Sequence, residues 1–115
     1  MILIKYQILE FVSPRGANLF REWIRTLPRI VAARIQARIY AAELGNLGDH
    51  KSVDDGVFEL RIHVGAGYRV YFGREGRTTL VLLGGGTKGS QARDIARAQK
   101  NWKIYQGSNH GTTRR

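Results

Sequence analysis

The stretch Phe58–Phe72, FELRIHVGAGYRVYF, constrains the fold of this chain more than any other, because it reads as two strands joined by a glycine turn. Glycine reaches positive φ without steric cost, so Gly65, Ala66 and Gly67 are expected to form a three-residue hairpin loop with Val64 opposite Tyr68. Stepping back two residues at a time pairs Ile62 with Val70 and Leu60 with Phe72 on a core-facing side. The alternate residues share the other side, where His63 faces Arg69 and Arg61 faces Tyr71. Cross-strand neighbours on one face stand about 5 Å apart, so two guanidiniums, an imidazole and a phenol can all reach one phosphate and its ribose. Glu59 is the carboxylate that accompanies them, whereas an inert strand surface mixes both signs freely.

The rest of the chain supplies a frame for this hairpin. Ile2 to Phe11 reads as an inner first strand, with Ile2, Ile4, Tyr6 and Ile8 in period two. Ser13 before Pro14 signals a helix start, and Phe20, Trp23, Ile24 and Leu27 then follow helical spacing. Pro28 ends that helix and opens a second one to about Leu44, with Val31, Ile35, Ile39 and Ala42 on its buried stripe and Gly45 as its stop. Two helices this close in sequence form a hairpin against one face of the sheet. Asn46 to Gly56 reads as a loop. Thr78 to Leu83, apolar on both faces, is a central third strand of the meander, closed by the glycines of GGGTKGS. Ser90 then caps a last helix carrying Ala92, Ile95, Ala98, Trp102 and Tyr105. The expected architecture is therefore α+β: one domain over residues 1–106, and a basic tail, 107–115, that lacks apolar anchors and is expected to be disordered.

Charge points to the partner. A net charge of +10 in 115 residues favours an anionic ligand, and arginine, 14 of the 19 basic residues, matches phosphate better than lysine does. The chain has no cysteine, which removes disulfides and cysteine-based zinc sites. No signal peptide or membrane-length apolar run is legible, so a cytoplasmic protein without a membrane partner is expected.

Several chemistries are excluded by spacing. Lys88 is followed by Gly89, so the glycine segment does not fit the nucleotide-binding lysine loop. His50, His63 and His110 lack liganding partners at suitable spacing, and no cofactor is called for. A serine elbow for nucleophilic catalysis is absent. What is left is a metal-free cationic group: Arg61, His63, Arg69 and Tyr71 on the hairpin, with Lys51 and Lys88 from the flanking segments. Such a group suits RNA cleavage by the ribose 2′-hydroxyl, which needs a base, an acid and cations for a phosphorane. Arginine stabilises charge there, while lysine or histidine can move protons.

The phrases ELGNLGDHKSVDDGVFELRIHVGAGYRVYF and GGGTKGSQARDIARA, in this order of elements, resemble the RelE/ParE toxin superfamily and most of all its HigB-like addiction module killer group, over Ile2 to about Trp102. The resemblance implies a RelE-like fold and the toxin of a type II toxin–antitoxin module. Such a toxin is an endoribonuclease that cleaves mRNA, often on the ribosome, until a cognate antitoxin covers it. Arg61, Arg69 and Lys88 match the family's basic positions. RelE has a tyrosine in its last helix where this chain has Asp94, so Lys51, His63 or Tyr71 would supply the acid and base. The superfamily also holds ParE-like toxins that inhibit DNA gyrase without cutting RNA, and these generally lack the basic cluster.

Overall fold

Apolar side chains on both faces of one strand require cover on both sides, and that requirement organises the molecule. In the computed structural model, which describes residues 4–107 and 112–114, the strand is β5 (Thr79–Thr87), with Leu80 and Leu82 buried towards one face and Val81 and Leu83 towards the other. It lies inside a six-stranded mixed sheet of order β2-β3-β4-β5-β1-β6. The other strands are β1 (Gln7–Phe11), β2 (His50–Ser52), β3 (Val57–Ile62), β4 (Tyr68–Glu75) and β6 (Thr112–Arg114). β1 runs parallel to β5, and β3, β4 and β5 form the antiparallel meander expected from the sequence.

Helices α1 (Leu19–Arg25) and α2 (Arg29–Glu43) cover one face, where Phe20, Ile24, Ile35 and Ile39 pack with Leu60, Ile62, Val70 and Phe72. Helix α3 (Gln91–Gly107) covers part of the other, its Ala98 and Trp102 packing with Val57, Tyr71, Val81 and Leu83. Gly73 makes that seat possible, since a Cβ there would overlap the Trp102 ring.

Local expectations are revised at several points. β1 begins at Gln7, and Ile4 is exposed, while residues 1–3 of the expected first strand lie outside the described residues. The first helix starts after Asn18, whose side chain accepts from the Arg21 amide at 2.9 Å. Ser13 instead closes a turn by accepting from Ala17 N. The Asn46–Gly56 segment is not all loop, because β2 pairs there with the edge of β3. The glycines at 84–86 continue β5 rather than close it, since Gly85 admits the Trp23 ring and Gly86 admits Asp94 of α3. Gly107 ends α3, and Thr112–Arg114 pair with β1, where a disordered tail is expected. Backbone pairing at an open strand edge needs no apolar side chain.

The hairpin register is the most consequential revision. The pairs are Leu60 with Val70, Arg61 with Arg69 and Ile62 with Tyr68, so the loop is His63–Gly67 and longer than expected by two residues. Gly65 and Gly67 both sit at positive φ, and Gly67 N donates to Val64 O at 3.0 Å, a turn nested inside the longer loop. The slip is even, so every side chain keeps its face.

Candidate functional site

Two cross-strand rows on the α3 face carry the candidate residues. The first runs from Lys51 on β2 through Glu59 on β3 to Tyr71 on β4, and the second through Arg61 and Arg69 to Gly86 on β5. Arg61 therefore faces Arg69 directly, rather than Tyr71, and His63 has left the strand for the loop.

Two guanidiniums on adjacent strands repel unless a counter-charge lies between them, and Glu59 provides it from complete burial. Its Oε1 accepts from Arg61 Nε at 3.0 Å and its Oε2 from Gln91 Nε2 at 2.7 Å. Arg69 Nε lies 3.5 Å from Oε2, an ion-pair contact without hydrogen-bond geometry. Both arginines thus turn Nε inward, and their Nη groups donate no hydrogen bond to a described residue, the 3.9 Å approach of Arg61 Nη1 to Asp49 Oδ1 being an ion pair alone. Gln91 is the first residue of α3, so the helix start is tied to the same carboxylate.

The flanks add charge from loops. Lys88 opens a short 3-10 turn, Lys88–Ser90, whose amide donates to Gly67 O at 3.2 Å, and its side chain is exposed beside the hairpin loop. Ser90 donates to Asp94, which is buried above Gly86. Lys51 is exposed on β2 next to Glu59. His63, 74% exposed, meets Asp49 Oδ2 through Nε2 at 2.5 Å, and Arg61 Nη1 stands 3.9 Å from Asp49 Oδ1. The His63 hydrogen bond, and then the charge of Arg61, hold the Asp49 carboxyl below the usual range. With Nε2 engaged by a carboxylate, Nδ1 is the ring nitrogen open to a substrate.

Tyr71 departs from expectation. It is 1% exposed, enclosed by the α3 core, and its hydroxyl makes no hydrogen bond of normal geometry. Burial first, and then the nearby charges of Glu59 and Asp94, push its pKa well above 10. It borders a separate cleft of about 290 Å³ between α1 and α3, lined also by Trp23, Gly85 and Asp94. The phenol is withdrawn from the arginine row, so it supplies no exposed acid or base there.

A protein of Haemophilus influenzae (strain Rd KW20), described as uncharacterized, is 47% identical over 81 residues, which span 70% of this chain and 82% of that protein. The chain belongs to that protein's family. No protein-family model matches it. The arrangement sets Arg61 and Arg69 against the carboxylates of Glu59 and Asp49, with Lys51 opposite Glu59 on β2. Among the described residues no three His, Asp or Glu side chains gather as a metal-binding group, and no helix is long and apolar enough to cross a membrane. Sequence reasoning noted Glu59 only as a companion and missed Gln91 and Asp49. The available signal was a lone glutamate in period two with Arg61 on a strand that must bury one face.

Proposed function

We propose that this protein is a RelE-like toxin of a type II toxin–antitoxin module, an endoribonuclease that cuts mRNA in the cytoplasm by attack of the ribose 2′-hydroxyl. The observation that carries this reading is the direct pairing of Arg61 with Arg69 across β3 and β4, both bound through Nε to one buried glutamate. Two guanidiniums held at Nε, with Nη groups that donate no hydrogen bond to a described residue, are what a phosphorane with two negative oxygens requires. Glu59 is then a positioning residue. It touches no substrate, and it fixes both forks at no reorganisation cost during the reaction.

His63 takes the 2′-hydroxyl proton at Nδ1 while Asp49 holds Nε2–H and stabilises the imidazolium. The 2′-oxygen bonds to phosphorus and the bond to the 5′-oxygen breaks. Lys88 gives that oxygen its proton, and the products are a 2′,3′-cyclic phosphate and a 5′-hydroxyl end. Lys51 adds charge on the far side of Glu59. The α+β frame, with two helices on one face and a terminal helix on the other, is compatible with this family of toxins.

Induction in a bacterial host, with primer extension on translating message, tests the proposal. New 5′ ends within coding sequence that vanish in Arg61→Ala and Arg69→Ala are expected. Growth arrest with intact message and inhibited DNA supercoiling would overturn it in favour of a gyrase-directed toxin.

A further inference from the structure

Behind the arginine row the surface does not end. A groove of about 460 Å³ lies between α2 and the β2–β3 edge, and Arg34, Arg38, Asp49, Arg61 and His63 line it. Arg61 and His63, which belong to the site already described, border the groove at the β2–β3 edge, where the two faces of the sheet meet. Arg34 and Arg38 stand one turn apart on α2, a like-charge spacing that does not favour the helix. Ala37 and Ala41 line the groove between and beyond them, and their short side chains keep this wall low.

The two arginines differ in role. Arg38 is half-buried and donates to the backbone oxygens of Leu47, Asp49 and Arg61, which ties α2 to the β2–β3 edge. It is a fixed cation in the groove wall. Arg34 is exposed and makes no hydrogen bond or ion pair among the described residues. A solvated surface guanidinium commonly finds a carboxylate within reach, yet the groove's one carboxylate, Asp49, is already engaged by His63 and Arg61.

We infer that this groove is a second phosphate-binding subsite, which holds the backbone of a single-stranded RNA leaving the cleavage row, with Arg34 as its ligand. The inference rests on the reading of Arg61 as a phosphate ligand. A polyanion threaded past Arg61 and round the β2–β3 edge meets Arg38 and Arg34, and a lining without Phe, Tyr or Trp makes the contact chiefly one of backbone charge. The preferred substrate is accordingly several nucleotides long, and the enzyme gains affinity from chain outside the scissile linkage.

Salt-dependent binding of two RNAs to the full chain tests this. A 12-nucleotide single strand and a trinucleotide, both with 2′-deoxy substitution at the cut, are titrated against wild type, Arg34→Ala and Arg61→Ala. Arg34→Ala should bind the trinucleotide as wild type does and the 12-mer about tenfold more weakly, the worth of one charge-assisted contact. Its slope of log K against log salt should fall by about 0.7, one phosphate on a single strand. If Arg34→Ala matches wild type on both RNAs while Arg61→Ala weakens both, the groove is not an RNA track and the cleavage row stands. If Arg61→Ala also changes nothing, both the row and the groove are refuted. Loss on the trinucleotide as well as the 12-mer for Arg34→Ala would place Arg34 in the cleavage row and overturn the subsite.

Discussion

Tyr71→Phe separates a buried structural phenol from a catalytic one. The hydroxyl is enclosed and lacks a hydrogen bond, and an unmet buried donor costs about 1–3 kcal/mol. Removing it should therefore leave stability at neutral pH unchanged or raised within that range. Were the hydroxyl bonded to the Glu59 carboxylate in solution, its loss would instead destabilise by about 1.5–3 kcal/mol. The alkaline limb gives a second, independent magnitude. The folded-state pKa is raised above the ordinary 10.0, so the contribution of Tyr71 is complete below pH 10 and is lost as pH rises towards the folded value. The unfolded phenol ionises first, and each pH unit above 10 costs the wild type about 1.36 kcal/mol. Between pH 9 and pH 11 the gap between Tyr71→Phe and wild type should widen by about 1.4 kcal/mol. Tyr105, whose pKa is also raised by burial and Glu75, titrates in both proteins and cancels. Denaturant melts at the two pH values measure this, alongside message cleavage, which should be unchanged. Parallel stability curves together with lost cleavage would mean that the phenol is exposed to substrate and that the site described above is misplaced.

Arg61→Ala and Arg69→Ala should each lower cleavage about a hundred- to thousandfold, as loss of a donor to transition-state charge does. Each should also destabilise the fold by about 1.5–3 kcal/mol, because a buried carboxylate loses a charged partner; melts that match wild type would show that Glu59 is solvated. Glu59→Gln should cut turnover far more than RNA affinity, since it loosens both forks without touching phosphate. Equal loss in both, read from single-turnover kinetics against binding, would make Glu59 a purely structural residue. Asp49→Asn should fall below wild type in stability above pH 3.8 and converge with it in stronger acid, because a depressed carboxyl contributes only while ionised; an unchanged acid limb in a pH-dependent melt would refute the His63 contact. Gly86→Ala puts a methyl group into the Asp94 carboxylate and should destabilise by about 1–3 kcal/mol while reducing cleavage through Gln91. A stable, fully active variant would show that the start of α3 does not support the site.

How much of this was legible depends on which interactions decide each feature. Face assignment survived because period two is insensitive to an even slip: Leu60, Ile62, Val70 and Phe72 are buried with α1 and α2 whether the loop takes three residues or five. The slip itself was not legible, since it turns on the hydrogen bond from Gly67 N to Val64 O, and several loop lengths satisfy the same glycines. β2 and β6 were invisible for a related reason: short polar segments join a sheet through backbone groups alone. The burial of Glu59 and Tyr71 needed knowledge of what lies above them. The α3 helix covers that face because Gly73 leaves space for Trp102 and Gly86 for Asp94, and a strand pattern contains no record of either. The arginine pair could still have been read differently from the sequence. Two arginines brought into one row of adjacent strands require a negative partner within reach, and Glu59 was the acidic residue of that hairpin on the same face. Physical necessity therefore assigns Glu59 to the arginines before any helix is placed. Its burial follows once Gln91 closes over it, and with both forks held from beneath the guanidinium ends are left to whatever anion arrives from solvent.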